Sequence, residues 1–199
     1  SDRNIQPLIN QSNVNNKQFD RNHRLSVQYQ LLSRAGAFVM QGAYINDLIV
    51  YNKLPSRVAR YVGMLRHDAM LPGKVSAQFA VEWNHIVAEI KDYENGSARE
   101  NRYDVSASLQ KTFYGRLSLS VNLRKPGVIG FHAPLVAYTG FDLGIIKRTN
   151  TTVSLRSNVS TNFRVPTLND RYWKNAGNKN LLPERSKSAE AGWRLKLYN

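Results

Sequence analysis

From Arg116 to Arg124 the chain alternates strictly. Leu117, Leu119, Val121 and Leu123 fall on one face, and Arg116, Ser118, Ser120, Asn122 and Arg124 fall on the other. A period of two has no helical reading and predicts a strand with one apolar side. The same pattern recurs elsewhere. Leu25, Val27, Tyr29 and Leu31 alternate with Arg24, Ser26, Gln28 and Gln30, and Val75 to Trp83 with Lys74, Ser76, Gln78 and Glu82, Ala80 interrupting the polar set. Further alternation covers 104–110, 153–160 and 188–197, while 36–51 and 56–70 are less regular but rich in β-branched and aromatic residues. The chain therefore predicts about nine strands, most of them longer than the usual five or six residues.

Turn residues punctuate these strands unevenly. Short connections are expected near Arg34-Ala35-Gly36, Leu71-Pro72-Gly73, Tyr114-Gly115 and Arg148-Thr149-Asn150, and longer ones near 53–56, 93–100, 125–135 and 162–185. An antiparallel up-and-down arrangement with short turns at one end and long loops at the other is the asymmetry of a membrane β-barrel. A soluble basic β-sandwich also alternates and turns, and remains the competing architecture. Two features favour the barrel. The polar faces carry Ser, Gln, Asn and Thr more than Glu and Lys, and aromatics (Tyr51, Tyr93, Phe113, Tyr114, Phe163, Tyr198) gather near strand ends as in an interfacial girdle.

Composition changes this picture only in part. A chain of 199 residues suffices for one domain with a sizeable core. A mean hydropathy of −0.47 and the absence of any run of about eighteen apolar residues exclude a transmembrane helix. Alternating barrel strands have low mean hydropathy in any case. There is no cysteine, hence no disulfide and no thiolate metal site. The net charge of +14 suggests an anionic partner, yet Lys and Arg are spread along the chain without a dense basic helix or arm, so nucleic acid is not expected. The polar opening Ser1-Asp2-Arg3-Asn4 has no signal-peptide character, which fits an internal piece of a longer protein.

Catalytic chemistry finds little to stand on. His23, His67, His85 and His132 are scattered without metal-ligand spacing, and neither a nucleophile elbow nor a P-loop occurs. Arg66-His67-Asp68 matches only the first half of a kinase catalytic loop and reads as strand. No enzyme activity, cofactor or metal is expected. Binding is the better expectation. Arg24, Gln28, Arg116, Arg124, Arg156, Arg194 and Lys196 occupy polar positions that would line a lumen and steer anionic solutes, or be solvated or paired with acids. The loop holding Arg164, Asn169, Asp170, Arg171, Tyr172, Trp173 and Lys174 combines aromatic area with cations and is the best ligand candidate. Its alternative role is architectural, with Pro166 and Pro183 shaping the loop.

One stretch carries a resemblance. Asn162-Phe163-Arg164-Val165-Pro166-Thr167-Leu168 is followed by Asn178-Lys179-Asn180-Leu181-Leu182-Pro183-Glu184-Arg185-Ser186, with Glu190 and Gly192 beyond. It resembles TonB-dependent outer-membrane receptors, in which a strand closes on Phe-(Lys/Arg)-x-Pro-x-Leu. In that family the next strand opens on Asn-x-x-Leu-x-Pro-Glu-x-Ser-x-x-x-Glu-x-Gly. The resemblance spans 162–192. It implies an all-β fold, part of a barrel of about twenty-two transmembrane strands enclosing a plug. Residues 1–20 are then a loop or linker, and 21–199 a barrel segment without the plug and the C-terminal strands. It further implies TonB-energised uptake of a scarce solute of the ferric siderophore or cobalamin type. The partners implied are that solute, outer-membrane lipid, and the TonB complex acting through an N-terminal region outside this chain.

Overall fold

The computed structural model describes residues 2–5 and 16–197. Its strands are β1 (Asp2–Ile5), β2 (Asn16–Ser33), β3 (Gly36–Tyr51), β4 (Leu54–Leu71), β5 (Val75–Ile90), β6 (Ser97–Phe113), β7 (Leu117–Val128), β8 (Val136–Lys147), β9 (Thr151–Arg164) and β10 (Glu184–Leu197). One short helix, α1 (Leu168–Tyr172), lies between β9 and β10. The strands form one ten-stranded sheet in sequence order, each antiparallel to its neighbour. No second layer of strands covers it among the described residues, so the architecture is an up-and-down barrel wall and not a sandwich. Among the described residues β10 pairs with β9 alone, and the sheet stays open.

β2 to β10 are the nine anticipated strands. β1 adds a tenth, its Asp2 to Ile5 pairing with Phe19 to Asn16 inside the stretch expected to be a loop or linker. β8 has the weakest sequence signal, because Gly140 and Gly144 interrupt its alternation and the pairing with β9 shifts register between Gly144 and Ile146. Several strands also outrun their apolar runs. β7 continues through Pro126, and β6 begins at Ser97, within the expected loop 93–100.

Register sorts the side chains onto two unlike faces. Tyr29, Met40, Leu65, Val81 and Val105 lie opposite one another across five strands, and Leu109, Val121, Thr139, Val159 and Ala189 across five. These residues are not in a core: Met40 is 57 % exposed, Val81 50 % and Val159 53 %. A continuous apolar surface of this extent is untenable in water and marks a membrane or protein contact. On its loop side runs an aromatic row. The rings of Tyr44 and Tyr61 stand 5.1 Å apart, Tyr61 and His85 6.1 Å, and His85 and Trp83 6.1 Å. Trp83 Nε1 donates to Asn101 Oδ1 at 3.3 Å, so the indole joins apolar surface to a polar margin, as interfacial aromatics do.

The other face is polar and internally paired. Asp68 accepts from Arg66 Nε at 3.0 Å and from Gln78 Nε2 at 2.8 Å, and Asp104 accepts two bonds from Arg124 at 2.6 and 3.0 Å. Between Arg66 and Asp68, His67 points to the apolar side and stacks on Phe38 at 4.1 Å, which fits the strand reading of that triplet.

The connections alternate as expected except at one place. The link at 53–56 is no loop: Asn52 and Lys53 both take positive φ (48° and 68°) and join β3 to β4 in a two-residue turn. That is the type I′ geometry whose twist suits a hairpin, and Asn adopts it readily. The remaining long connections, 91–96, 129–135 and 165–183, share the same end of the sheet.

Candidate ligand site at the loop end of the polar face

The loop after β9 is built to fold back onto the wall. Pro166 is buried, and Thr167 caps α1: its Oγ1 accepts from Asp170 N at 3.2 Å while Asp170 Oδ2 accepts from Thr167 N at 2.8 Å. This reciprocal box satisfies amides that a helix start leaves orphaned. These bonds hold the Asp170 carboxyl below the usual carboxylate range, the Thr167 hydroxyl first and its backbone second. The chain then reverses at Gly177, whose amide donates to Trp173 O at 2.7 Å. A Cβ there would sit 2.6 Å from Trp173 N, so only glycine fits.

The returning loop docks on the β5–β6 connection. Glu94 N donates to Tyr172 O at 3.0 Å, Lys174 N to Asp92 O at 2.7 Å, and Lys179 Nζ to Glu94 Oε2 at 2.5 Å. Tyr93 is the centre of the contact. It is 1 % exposed, and its hydroxyl donates to Asn169 Oδ1 at 2.5 Å. Its ring lies 6.2 Å from Tyr172 and 6.3 Å from Trp173. Ala88, Ile90 and Ala98 complete the cluster, with Val58, Leu168 and Tyr172 packed around it. Tyr93 is therefore part of a buried knot and not of the girdle, because its loop turns in over the polar face. Of the other aromatics assigned to the girdle, Tyr114 is fully exposed at a turn tip, and Tyr198 lies outside the described residues.

An ion pair fixes the loop from below. Arg171 and Glu100 meet through Nη2 and Oε2 with side chains 6 % and 4 % exposed, and Glu100 also accepts from Arg102. Arg171 lies over the rings of Phe131 (5.1 Å) and Tyr172 (5.2 Å), the planar stacking to which guanidinium is suited. Burial pulls the Arg171 pKa down. It pushes the Tyr93 phenol up, against the opposing influence of Arg171, so Tyr93 stays a donor.

Between the docked loop and the polar face of β3 to β6 lies a cavity of about 790 Å³, lined among others by Arg60, Glu82, Arg102, Asp104, Arg164 and Trp173, with Asn84 and Arg124 alongside. A second concavity of about 740 Å³ sits on the polar face farther along the sheet, where Arg156 pairs with Asp142, Asn158 donates to Glu190 at 3.3 Å, and Arg194 contributes to the wall.

The seven loop residues anticipated from sequence thus divide. Asn169, Asp170, Arg171 and Tyr172 are engaged in holding the loop. Arg164, Trp173 and Lys174 are exposed, with Arg164 3.7 Å from Glu184 and both Arg164 and Trp173 facing the cavity. Of the lumen candidates, Arg124, Arg156 and Arg194 share the polar face, whereas Arg116 sits in the turn before β7 at the opposite end from the loops. Tyr93, Glu100, Arg102, Asp104 and Glu82 were not anticipated. The charged alternation Glu100, Arg102, Asp104 was a signal that could have marked them.

Comparison with known proteins agrees with this architecture. The profile of a family described as TonB dependent receptor-like, beta-barrel, matches residues 2–199. A vitamin B12 transporter, BtuB, of Vibrio vulnificus is 49 % identical over 45 residues, 23 % of this chain and 7 % of that protein. The transporter of the same name from Photobacterium profundum is 49 % identical over 38 residues, 19 % of this chain and 6 % of that protein. Among solved structures, the siderophore receptor PirA from Pseudomonas aeruginosa superposes with a TM-score of 0.80 at 11 % identity. That match covers 90 % of this chain and 37 % of the receptor, so the chain spans little more than a third of that length.

Proposed function

Because the chain belongs to the TonB-dependent receptor β-barrel family, we propose that it forms part of the wall and mouth of an outer-membrane receptor for energised uptake of a scarce solute. One observation carries the reading: the sheet is apolar on one face and ion-paired on the other, and a long loop docks over the polar face at one end. In this reading the apolar face meets lipid, the polar face lines the path, and the long loops lie outside the cell. Arg124, Arg156 and Arg194 line the lumen. Arg164, Trp173 and Lys174 contact the solute directly, and Asn169, Asp170, Arg171 and Tyr172 hold them in place. The solute is of the cobalamin or ferric siderophore type, supported by the short stretches of identity with the vitamin B12 transporters. Energy coupling runs through the TonB complex, which engages a part of the receptor other than this wall. The role is transport and binding without catalysis.

The test uses the full-length protein in its own outer membrane. Uptake of radiolabelled cobalamin and of a ferric siderophore is followed with and without a proton-motive force. Energy-dependent accumulation of either solute supports the reading. Recovery of the protein outside the outer membrane, or accumulation of neither solute, contradicts it.

A further inference from the structure

The end of the sheet opposite the long loops carries charge of one sign. Each of its four short turns holds a cation: Arg34 between β2 and β3, Lys74 between β4 and β5, Arg116 between β6 and β7, and Arg148 between β8 and β9. Lys111, Lys147 and Lys196 stand on the strand ends beside them. Among the described residues no acid lies farther toward these turns than Asp68 and Asp142, and both are already held by arginines, Arg66 and Arg156. The four turn cations have no ion-pair partner among the described residues, and all four are exposed. The loop end differs: Lys91, Asp92 and Glu94 share one connection, and Lys179 pairs with Glu94.

The turns that present these cations are fixed by short hydrogen bonds. Ala35 N donates to Ser33 Oγ at 3.2 Å, and that hydroxyl donates to Gly36 O at 3.0 Å. Arg116 N donates to Phe113 O at 3.0 Å, Gly144 N ties the next strand to Arg116 O at 2.8 Å, and Arg148 N donates to Thr151 O at 2.8 Å. Neighbouring hairpin turns are two strand spacings apart, about 10 Å, so the rim is a regular row of positive charges. Resting on the membrane reading above, in which this end faces the periplasm, we propose that the turn rim binds the carboxylate-bearing peptide stems of the cell-wall polymer, peptidoglycan. Register favours a polymer over lipid headgroups. Of the strand-end lysines only Lys111 shares the apolar face, whereas Lys147 and Lys196 both lie opposite Thr152 on the polar face, out of reach of surrounding lipid. A polyanion lying across the open end meets turn-tip and lumen-side cations alike. Arginine offers a carboxylate paired donors and lysine a point charge, and many weak pairs along one polymer reinforce one another.

The experiment uses the full-length receptor purified from outer membranes in neutral detergent and sedimented with three probes. These are purified peptidoglycan sacculi, the same sacculi with their carboxylates amidated, and phosphatidylglycerol vesicles. The quadruple variant Arg34→Gln/Lys74→Gln/Arg116→Gln/Arg148→Gln is compared with Arg34→Lys/Arg116→Lys/Arg148→Lys, which keeps the charge. Each exposed ion pair contributes roughly twofold to affinity, so the Gln variant is expected to bind intact sacculi on the order of tenfold more weakly. The Lys variant retains most of the binding, amidation of the sacculi abolishes it, and added salt screens it. Equal binding by wild type and Gln variant, wild-type binding that survives amidation, or sedimentation with the vesicles but not with sacculi overturns the cell-wall site. With the protein correctly located in the outer membrane, each of these leaves the receptor reading intact. Absence of the protein from the outer membrane overturns both.

Discussion

Arg171 of α1 and Glu100 of β6 stand 71 residues apart in the chain and meet as an ion pair almost closed to solvent. Breaking a buried pair from one side leaves an uncompensated charge, at a cost of about 3–5 kcal/mol. Arg171→Ala is therefore expected to release the loop from the wall without unfolding the strands. Hydrogen exchange at the amides of 167–178 checks this: protection falls there and persists in β5 and β6.

The capping box gives the loop a pH dependence of defined sign. Asp170 is held below its ordinary carboxylate pKa, so its contribution is present above the unfolded value and is lost as pH falls through the folded one. Acidification should loosen α1, seen in the fluorescence of Trp173 measured in a variant lacking other tryptophans, and Asp170→Asn should flatten that response. Thr167→Ala should weaken the start of the helix by about 1 kcal/mol near neutral pH and should also reduce the response to acid, because it removes the first cause of the Asp170 shift.

Tyr93 allows the packing and the hydrogen bond to be separated. Tyr93→Phe removes only the donation to Asn169 and should cost about 1 kcal/mol. Tyr93→Ala leaves a void among Ala88, Ile90 and Ala98 and should cost about 3–5 kcal/mol. Limited proteolysis between Thr167 and Pro183 reports both, with the larger effect for alanine.

The two faces respond oppositely to charge. Val81→Arg puts a cation in the middle of the apolar band and should destabilise the folded barrel by about 2–4 kcal/mol, whereas Ser106→Arg, on the polar face, should cost little. Folding of the full-length protein into lipid vesicles, titrated with urea, measures the difference.

Much of the wall was legible in the sequence because alternation is a local property. Leu117 to Leu123 and Leu25 to Leu31 need no partner to declare their faces, and the loop motif at 162–192 announced its own strand boundaries. Long-range facts were not legible. Tyr93 looks like a girdle aromatic until α1 is seen to fold over it, and Arg171 looks like a ligand cation until Glu100 is found beneath it. The Asn52-Lys53 turn escaped because positive φ at a lysine has no compositional signature. For the same reason the loop's candidate residues could be named together, while their division into supports and exposed contacts required the fold.

The central claim is that one face of this wall meets lipid and the other meets solute. The chain has no cysteine of its own, so single cysteines can be placed at Val81 and Leu123 on the apolar face and at Ser56 and Asn84 facing the loop-side cavity. In cells expressing the otherwise cysteine-free full-length receptor, a small charged, water-soluble thiol reagent should label positions 56 and 84 and spare 81 and 123. Equal labelling of all four would contradict the account.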